Sequence, residues 1–186
     1  MTKYKIFADT HIFSPIEIMR EETLAEPADR NTVFLGDIID AANCKKSEVG
    51  FADDLMNVLM KRHRKNYISG NHSRLGMSGS IMTQDGVVFT HGDLQANYKK
   101  WSKYRSEPWG AGEFKRRFII PFIREAELII NRKPSEDFLK AASDVARMFC
   151  CHTYVCGHFH HKELINISYN GIRIVIVPRG ITNIDL

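Results

Sequence analysis

Five short blocks of polar residues carry side chains that bind metal ions, and each block follows an apolar stretch of the chain. They are Asp9-Thr10-His11, Gly36-Asp37-Ile38-Ile39-Asp40, Gly70-Asn71-His72, His91-Gly92-Asp93 and Gly157-His158-Phe159-His160. Carboxylate, imidazole and amide groups together suit a divalent ion of intermediate hardness. Any one block, taken singly, is better explained by a structural role such as a capped turn or a buried histidine. Five in one chain, each at the end of an apolar stretch, indicate a metal site.

The apolar stretches before these blocks are predicted to be strands. They cover residues 3–8, 32–35, 66–69, 86–90 and 153–156. Two more, 164–169 and 172–177, flank Asn170-Gly171, a dipeptide typical of the type I′ turn in a β-hairpin. Ligands bind at the carboxyl ends of strands in α/β sheets, so the five blocks are expected to meet at one edge of the fold.

Helices are predicted between the strands. One begins at Pro15, and a second covers residues 47–63, where Phe51, Leu55, Val58 and Leu59 recur at helical spacing. Residues 94–149 are predicted to be mostly helical, with Ser135 as an N-cap. The order of elements predicts a single α/β domain over residues 1–186, with stacked sheets and a helical insertion at about 94–149.

The composition excludes several classes of protein. The 186 residues are 44% hydrophobic and 26% charged, which is typical of one globular domain and not of a disordered or fibrous chain. No segment approaches the roughly 18 apolar residues of a membrane span. Asp9 interrupts the first apolar stretch too early for a secretory signal, so a cytoplasmic protein is expected. The four cysteines form no CxxC pair and are interpreted as reduced packing residues.

Positive charge is concentrated in one segment. The net charge is +4, and residues 99–140 hold 11 Lys and Arg against 6 Asp and Glu. Aromatic residues such as Trp101, Tyr104 and Trp109 are interleaved with these cations. The pattern suits nucleic acid or a nucleotide-like phosphate, an anionic lipid surface that would make the protein membrane-peripheral, or an oligomer interface. The sequence leaves these three alternatives open, and with them the oligomeric state.

The series of blocks resembles the calcineurin-like metallophosphoesterase family, whose motifs run DxH, GDxxD, GNH followed by an acid, a later His, and GHxH. The resemblance spans residues 9–160 and implies a four-layer sandwich of two β-sheets flanked by helices, with two metal ions at the strand ends. It implies that Asp9, His11, Asp37 and His160 hold one ion. Asp37, Asn71, His91 and His158 would hold the other, with Asp37 shared.

The implied activity is hydrolysis of a phosphomonoester, phosphodiester or pyrophosphate by a hydroxide that two metal ions activate. The ions are expected to be Mn²⁺, with Fe, Zn and Co as alternatives. His72 is the candidate proton donor to the leaving group, and Arg74 is a candidate for binding substrate phosphate. Asp40 and Asp93 are candidates for orienting the ligand histidines.

One departure separates the chain from the family pattern, because Ser73 stands where an acid usually follows GNH. A carboxylate there would raise the pKa of His72, and serine does not. The GDIIDA and THGD segments are similar to the branch that contains UDP-2,3-diacylglucosamine hydrolases, although those enzymes usually carry Arg in place of His72. Two alternatives to a small-substrate phosphoesterase remain: a nuclease, and a metal-bound interaction module with little activity.

Overall fold

The computed structural model describes residues 1–13, 20–40, 44–70, 81–93 and 133–186. These contain helices α1 (Arg20–Ala25), α2 (Val49–Arg62) and α3 (Glu136–Met148), and a short 3-10 turn at Lys46–Glu48. The strands are β1 (Lys3–Ala8), β2 (Thr32–Leu35), β3 (Tyr67–Ile68), β4 (Ile81–Gln84), β5 (Val87–Thr90), β6 (Thr153–Cys156), β7 (Ile165–Tyr169), β8 (Ile172–Ile176) and β9 (Gly180–Asp185).

The strands form two sheets. The first has the order β3-β2-β1-β9, in which β1, β2 and β3 are parallel and β9 runs antiparallel to β1. The second has the order β4-β5-β6-β8-β7, with a parallel centre of β5, β6 and β8 and an antiparallel strand at each edge. The carboxyl ends of β1, β2, β5 and β6 carry the polar blocks of the sequence.

The two sheets pack face to face, and their inner faces form one apolar core. Alternate residues of β1, Tyr4, Ile6 and Ala8, contact this core from the first sheet. Phe89 and Val155 contact it from the second. All five are buried. This contact between inner faces holds the polar ends of the two sheets next to each other.

Helices cover the outer faces. Residues of α2 pack on the outer face of the first sheet against Phe7 and Phe34, and α3 packs on the second sheet against Tyr154 and Ile174. Ser135 caps α3, since its Oγ accepts a hydrogen bond from the Phe138 amide at 3.2 Å. The order helix, sheet, sheet, helix is the four-layer α/β architecture that the resemblance implies, and it confirms that expectation.

The apolar face predicted for the second helix is wrong in part. Leu59 is buried, but Phe51 and Val58 are 55% and 49% exposed. The buried stripe instead contains Ala52 and Met56. Both stripes have helical spacing, so periodicity alone does not distinguish them, and the small Ala52 side chain suits a helix lying close to a sheet.

The predicted hairpin is confirmed. Asn170 and Gly171 have φ of 49° and 80°, the positive values that both central residues of a type I′ turn need. Strands β4 and β9 were not predicted. The helix start at Pro15 and residues 94–132 of the insertion lie outside the described residues. No described helix is long and apolar enough to span a membrane.

Candidate metal centre

Six of the seven predicted metal ligands come together where the strands end. Asp9 and His11 follow β1, Asp37 follows β2, His91 follows β5, and two histidines follow β6. These last two are His158 and His160. Asn71, the seventh, lies outside the described residues together with His72 and Arg74. The predicted meeting of the blocks at one edge of the sheets is therefore present for the residues that the structure describes.

The side chains form two groups that could each hold an ion. The first consists of Asp9, His11 and His160, and the second of Asp9, Asp37 and His91. Within each group the ligand atoms lie within 4.8 Å of one another. In the first, His160 Nε2 is 3.3 Å and His11 Nε2 is 4.0 Å from Asp9 Oδ1. In the second, His91 Nε2 is 3.2 Å from Asp37 Oδ2.

The imidazoles meet through their ring nitrogens. His11 Nε2 and His160 Nε2 are 3.2 Å apart, and His158 Nδ1 and His91 Nε2 are 3.3 Å apart. Two nitrogens bound to one ion at about 2.1 Å are separated by about 3.0–3.4 Å for right-angle to tetrahedral geometry. The measured separations lie in that range, so both pairs fit shared ions.

The carboxylates also fit metal binding. Asp9 is 0% exposed and Asp37 is 1% exposed. Asp9 Oδ1 meets no well-aligned hydrogen-bond donor among the described residues, whereas Asp9 Oδ2 accepts from the His158 amide at 2.8 Å. A buried carboxylate oxygen without such a donor is strongly destabilising unless a cation satisfies it. One oxygen of Asp9 is thus held by the protein and the other is available to an ion.

Left-handed backbone is concentrated at the candidate ligands. Asp9, His11, Asp37, His158 and His160 have φ of 52°, 50°, 50°, 68° and 50°. Each such conformation in a non-glycine residue costs about 1–3 kcal/mol and persists only where the surrounding structure imposes it. Backbone hydrogen bonds supply that constraint here, from the Asp9 amide to Gly36 O at 3.1 Å and from the His11 amide to Asp37 O at 2.9 Å.

The glycines of the motifs leave space for ligand side chains. A Cβ atom on Gly157 would lie 2.5 Å from Asp9 Oδ2, and one on Gly36 would lie 2.5 Å from His91 Nδ1. A Cβ on Gly70 would overlap the Asp37 carboxylate. Only Gly36 of these three has a positive φ, so Gly36 allows a sharp turn at the end of its strand, while Gly70 and Gly157 provide room for the ligand side chains.

Other groups orient the ligand imidazoles. His91 Nδ1 donates to Leu35 O at 2.9 Å, which leaves Nε2 as the nitrogen that faces Asp37. Asp40 Oδ2 lies 3.4 Å from His11 Nδ1 and is 0% exposed. In this geometry a carboxylate contacts the ring nitrogen that does not face the ion, and so fixes the orientation of a ligand histidine. The placement supports the orienting role predicted for Asp40.

Charges within the site shift the pKa values of its groups. Burial by itself would lower the pKa of His91, but the negative charge of Asp37 outweighs it and raises the pKa to about 10. Burial and the positive charge of His91 lower the pKa of His158 to about 3. Burial opposes ionisation of Asp9, yet contact with His160 and the charge of His91 hold its pKa well below the usual range. Without ions, the positive charge of His91 therefore stabilises the ionised form of Asp9.

The geometry and the resemblance differ in which carboxylate the two candidate ion sites share. Asp9 belongs to both groups, whereas the resemblance makes Asp37 the shared ligand. Sharing by Asp37 stays a prediction. Sequence reasoning also missed Arg179, whose Nε donates to Asp9 O at 3.0 Å. Its position between two strands gave no distinctive signal.

Comparison with protein families gives no match, and no curated protein matches the sequence. Several solved structures are similar. Vacuolar Protein Sorting 29 from Cryptosporidium parvum is 14% identical with a TM-score of 0.46, covering 95% of this chain and 74% of its own. A predicted phosphoesterase from Streptococcus pneumoniae is 13% identical with a TM-score of 0.41, covering 96% and 74%. Phosphopantetheinyl hydrolase from Mycobacterium tuberculosis is 13% identical with a TM-score of 0.40, covering 95% and 89%. At these values the likenesses do not specify an activity.

Proposed function

We propose that this protein is a metal-dependent phosphoesterase that hydrolyses a phosphomonoester, phosphodiester or pyrophosphate at a centre of two divalent ions. The observation that carries the proposal is the pair of carboxylate–imidazole groups that share Asp9 at the ends of both sheets. Two adjacent ion sites are the arrangement that stabilises both the attacking and the leaving oxygen at phosphorus.

The side chains of this chain would hold the ions as follows. Asp9, His11 and His160 belong to one set, and His91 and His158 belong to the other, with Asn71 as a further ligand of the second. Asp37 is proposed as the carboxylate that both sets share. When bound, two such ions supply an activated water nucleophile and neutralise charge on the phosphoryl oxygens. Mn²⁺ is the proposed metal, because nitrogen and carboxylate ligands without thiolate suit it, and these ligands also accept Fe, Zn and Co.

The rest of the site keeps these ligands in place before substrate arrives. Leu35 O fixes the ring of His91, and the His158 amide fixes one oxygen of Asp9. Because His91 and Asp9 are buried and tied to backbone groups, they need little reorganisation when substrate binds. His72 is proposed as the proton donor to the leaving group, and Arg74 as a contact for substrate phosphate.

A substrate screen with the Mn²⁺-loaded protein tests the proposal. The panel contains p-nitrophenyl phosphate, its bis-ester, pyrophosphate, nucleotides and a single-stranded oligonucleotide. We expect hydrolysis of at least one small phosphate and its loss in His160→Gln. The control is His152→Gln, since His152 is an exposed histidine whose Nδ1 contacts Thr153 Oγ1 at 2.9 Å, away from the site.

The outcomes separate the alternatives. Cleavage of the oligonucleotide alone, with binding that weakens steeply as salt increases, would identify a nuclease instead. Two bound ions with no hydrolysis of any substrate would refute the phosphoesterase and favour an interaction module. Equal activity in His160→Gln and His152→Gln would show that the hydrolysis does not come from this site.

A further inference from the structure

Arg179 connects two of the loops that carry candidate ligands. It lies between β8 and β9, is half-buried, and donates from Nε to Asp9 O at 3.0 Å. Its own amide donates to His161 O at 3.2 Å, one residue after the candidate ligand His160. One residue therefore joins the loop after β1, in the first sheet, to the loop after β6, in the second.

The register of β1 and β9 explains why an arginine side chain reaches Asp9. The last backbone pair of this antiparallel ladder is Ala8 with Gly180, so the next pair would be Asp9 with Arg179. Asp9 leaves the ladder because its φ is 52°. The carbonyl of Asp9 then accepts from the guanidinium in place of a backbone amide, and the Arg179 amide turns to His161.

We propose that Arg179 is a positioning residue that sets the separation between Asp9 and His160, the two ligands whose Oδ1 and Nε2 atoms are 3.3 Å apart. The inference rests on the proposed metal centre. Arginine suits the task because its planar guanidinium is always charged and its donors have fixed directions. A hydrogen bond from a charged donor is also stronger than one from a neutral amide.

The effect should be concentrated on one group of ligands. His91 is held by Leu35 O, which accepts from its Nδ1 at 2.9 Å. Arg179, by contrast, donates from its side chain to the backbone carbonyl of Asp9. Its amide donates to the backbone carbonyl of His161, the residue after His160. Asp9 belongs to both groups, but His160 belongs only to the first. Loss of the guanidinium releases the loop of Asp9 from the loop of His160, so it should disturb the group of Asp9, His11 and His160 more than the group of Asp9, Asp37 and His91.

The test compares Mn²⁺ binding in wild type, Arg179→Gln and Arg179→Lys by calorimetry and electron paramagnetic resonance. Arg173→Gln is the matched control, because Arg173 lies on β8 and donates to a backbone carbonyl, Asp185 O at 3.5 Å, in an exposed position. We expect Arg179→Gln to weaken one of the two ion sites by about 10- to 100-fold, the usual effect of losing an outer partner of a ligand. The spin-coupled signal of an ion pair should give way to that of a single ion.

Arg179→Lys keeps the charge without the planar group, and its loss of affinity should be smaller. Wild-type affinity at both sites in Arg179→Gln would overturn the inference. So would a large fall in the melting temperature of the metal-free variant, since that would indicate a general structural role. Failure of the proposed function looks different: wild type would bind two ions and hydrolyse nothing, while the ion affinities would still respond to Arg179.

Discussion

Alanine at Gly157 should disable the metal centre through a single added carbon. Gly157 does not have a positive φ, so alanine can adopt its backbone conformation. The added Cβ would lie 2.5 Å from Asp9 Oδ2 and 3.1 Å from Ala8 Cβ, and real Cβ atoms essentially never approach another atom closer than 3.0 Å. The perturbation is therefore steric and directed at one ligand.

The structure sets the size of the displacement. The Asp9 carboxylate must retreat by at least about 0.5 Å, whereas ligand distances in metal sites are fixed to within about 0.2 Å. The same movement weakens the hydrogen bond from the His158 amide to Asp9 Oδ2, which is 2.8 Å in wild type. We expect Mn²⁺ affinity to fall at least tenfold and hydrolysis to fall by about 10²-fold.

Overpacking of this kind also costs about 1–3 kcal/mol of the free energy of unfolding. For a chain of this length, each kcal/mol corresponds to about 2–4 °C in melting temperature. The assays are calorimetric titration with Mn²⁺ and thermal unfolding with and without metal. Gly50→Ala in α2 is the control, because a Cβ there meets no atom within 4 Å, and it should leave ion binding unchanged.

Wild-type Mn²⁺ affinity in Gly157→Ala would refute this reasoning. It would mean that Asp9 Oδ2 is not confined by the glycine, and that the close approach of the GHFH loop to Asp9 has no part in the site. A variant that loses stability but keeps its ion affinity would lead to the same conclusion.

Three further predictions concern the ions and the core. Metal analysis after loading with Mn²⁺ should give two ions per chain, and fewer than one in a folded protein would contradict the ligand sets. Asp37→Asn should lower hydrolysis by several orders of magnitude while circular dichroism stays unchanged, because a buried charge that faces His91 is removed; an active variant would contradict this. Burial lowers the pKa of His63 below its ordinary 6.5, and the positive charge of Arg62 lowers it further. The contribution of His63 to stability is therefore full above pH 6.5, and it is lost as the pH falls below 6.5. In chelator, urea unfolding of wild type should lose more stability from about pH 7.5 to about pH 5.5 than that of His63→Gln; equal losses would contradict the assignment.

The sequence was sufficient where local patterns determine the structure. The strand Lys3–Ala8, the strand Thr153–Cys156 and the Asn170-Gly171 turn are short-range features, and they lie where predicted. The ligand blocks were recognisable because each contains metal-binding side chains directly after an apolar strand. Their convergence followed from a general rule about the carboxyl ends of strands.

Long-range features could not be read from the sequence. The pairing of β9 with β1 joins residues at opposite ends of the chain. Most residues of β9 are half-buried or exposed, so its sequence lacks the apolar run that is typical of a core strand. The same pairing places Arg179 beside Asp9, so this contact was hidden for the same reason. The space that Gly157 leaves for Asp9 depends on the approach of two loops that are far apart in the chain.

The two ligand groups take side chains from both sheets, and this has a mechanical consequence. Asp9 and Asp37 follow strands of the first sheet, while His91 and His160 follow strands of the second. Bound ions would therefore act as cross-links between the sheets, and amide hydrogen exchange in β1 and β6 should slow when metal is added. The spacing of the ligands is in turn set by the packing of the sheets, through side chains such as Ile6 and Val155. Volume changes in that apolar interior would be transmitted to the ions as changes in distance.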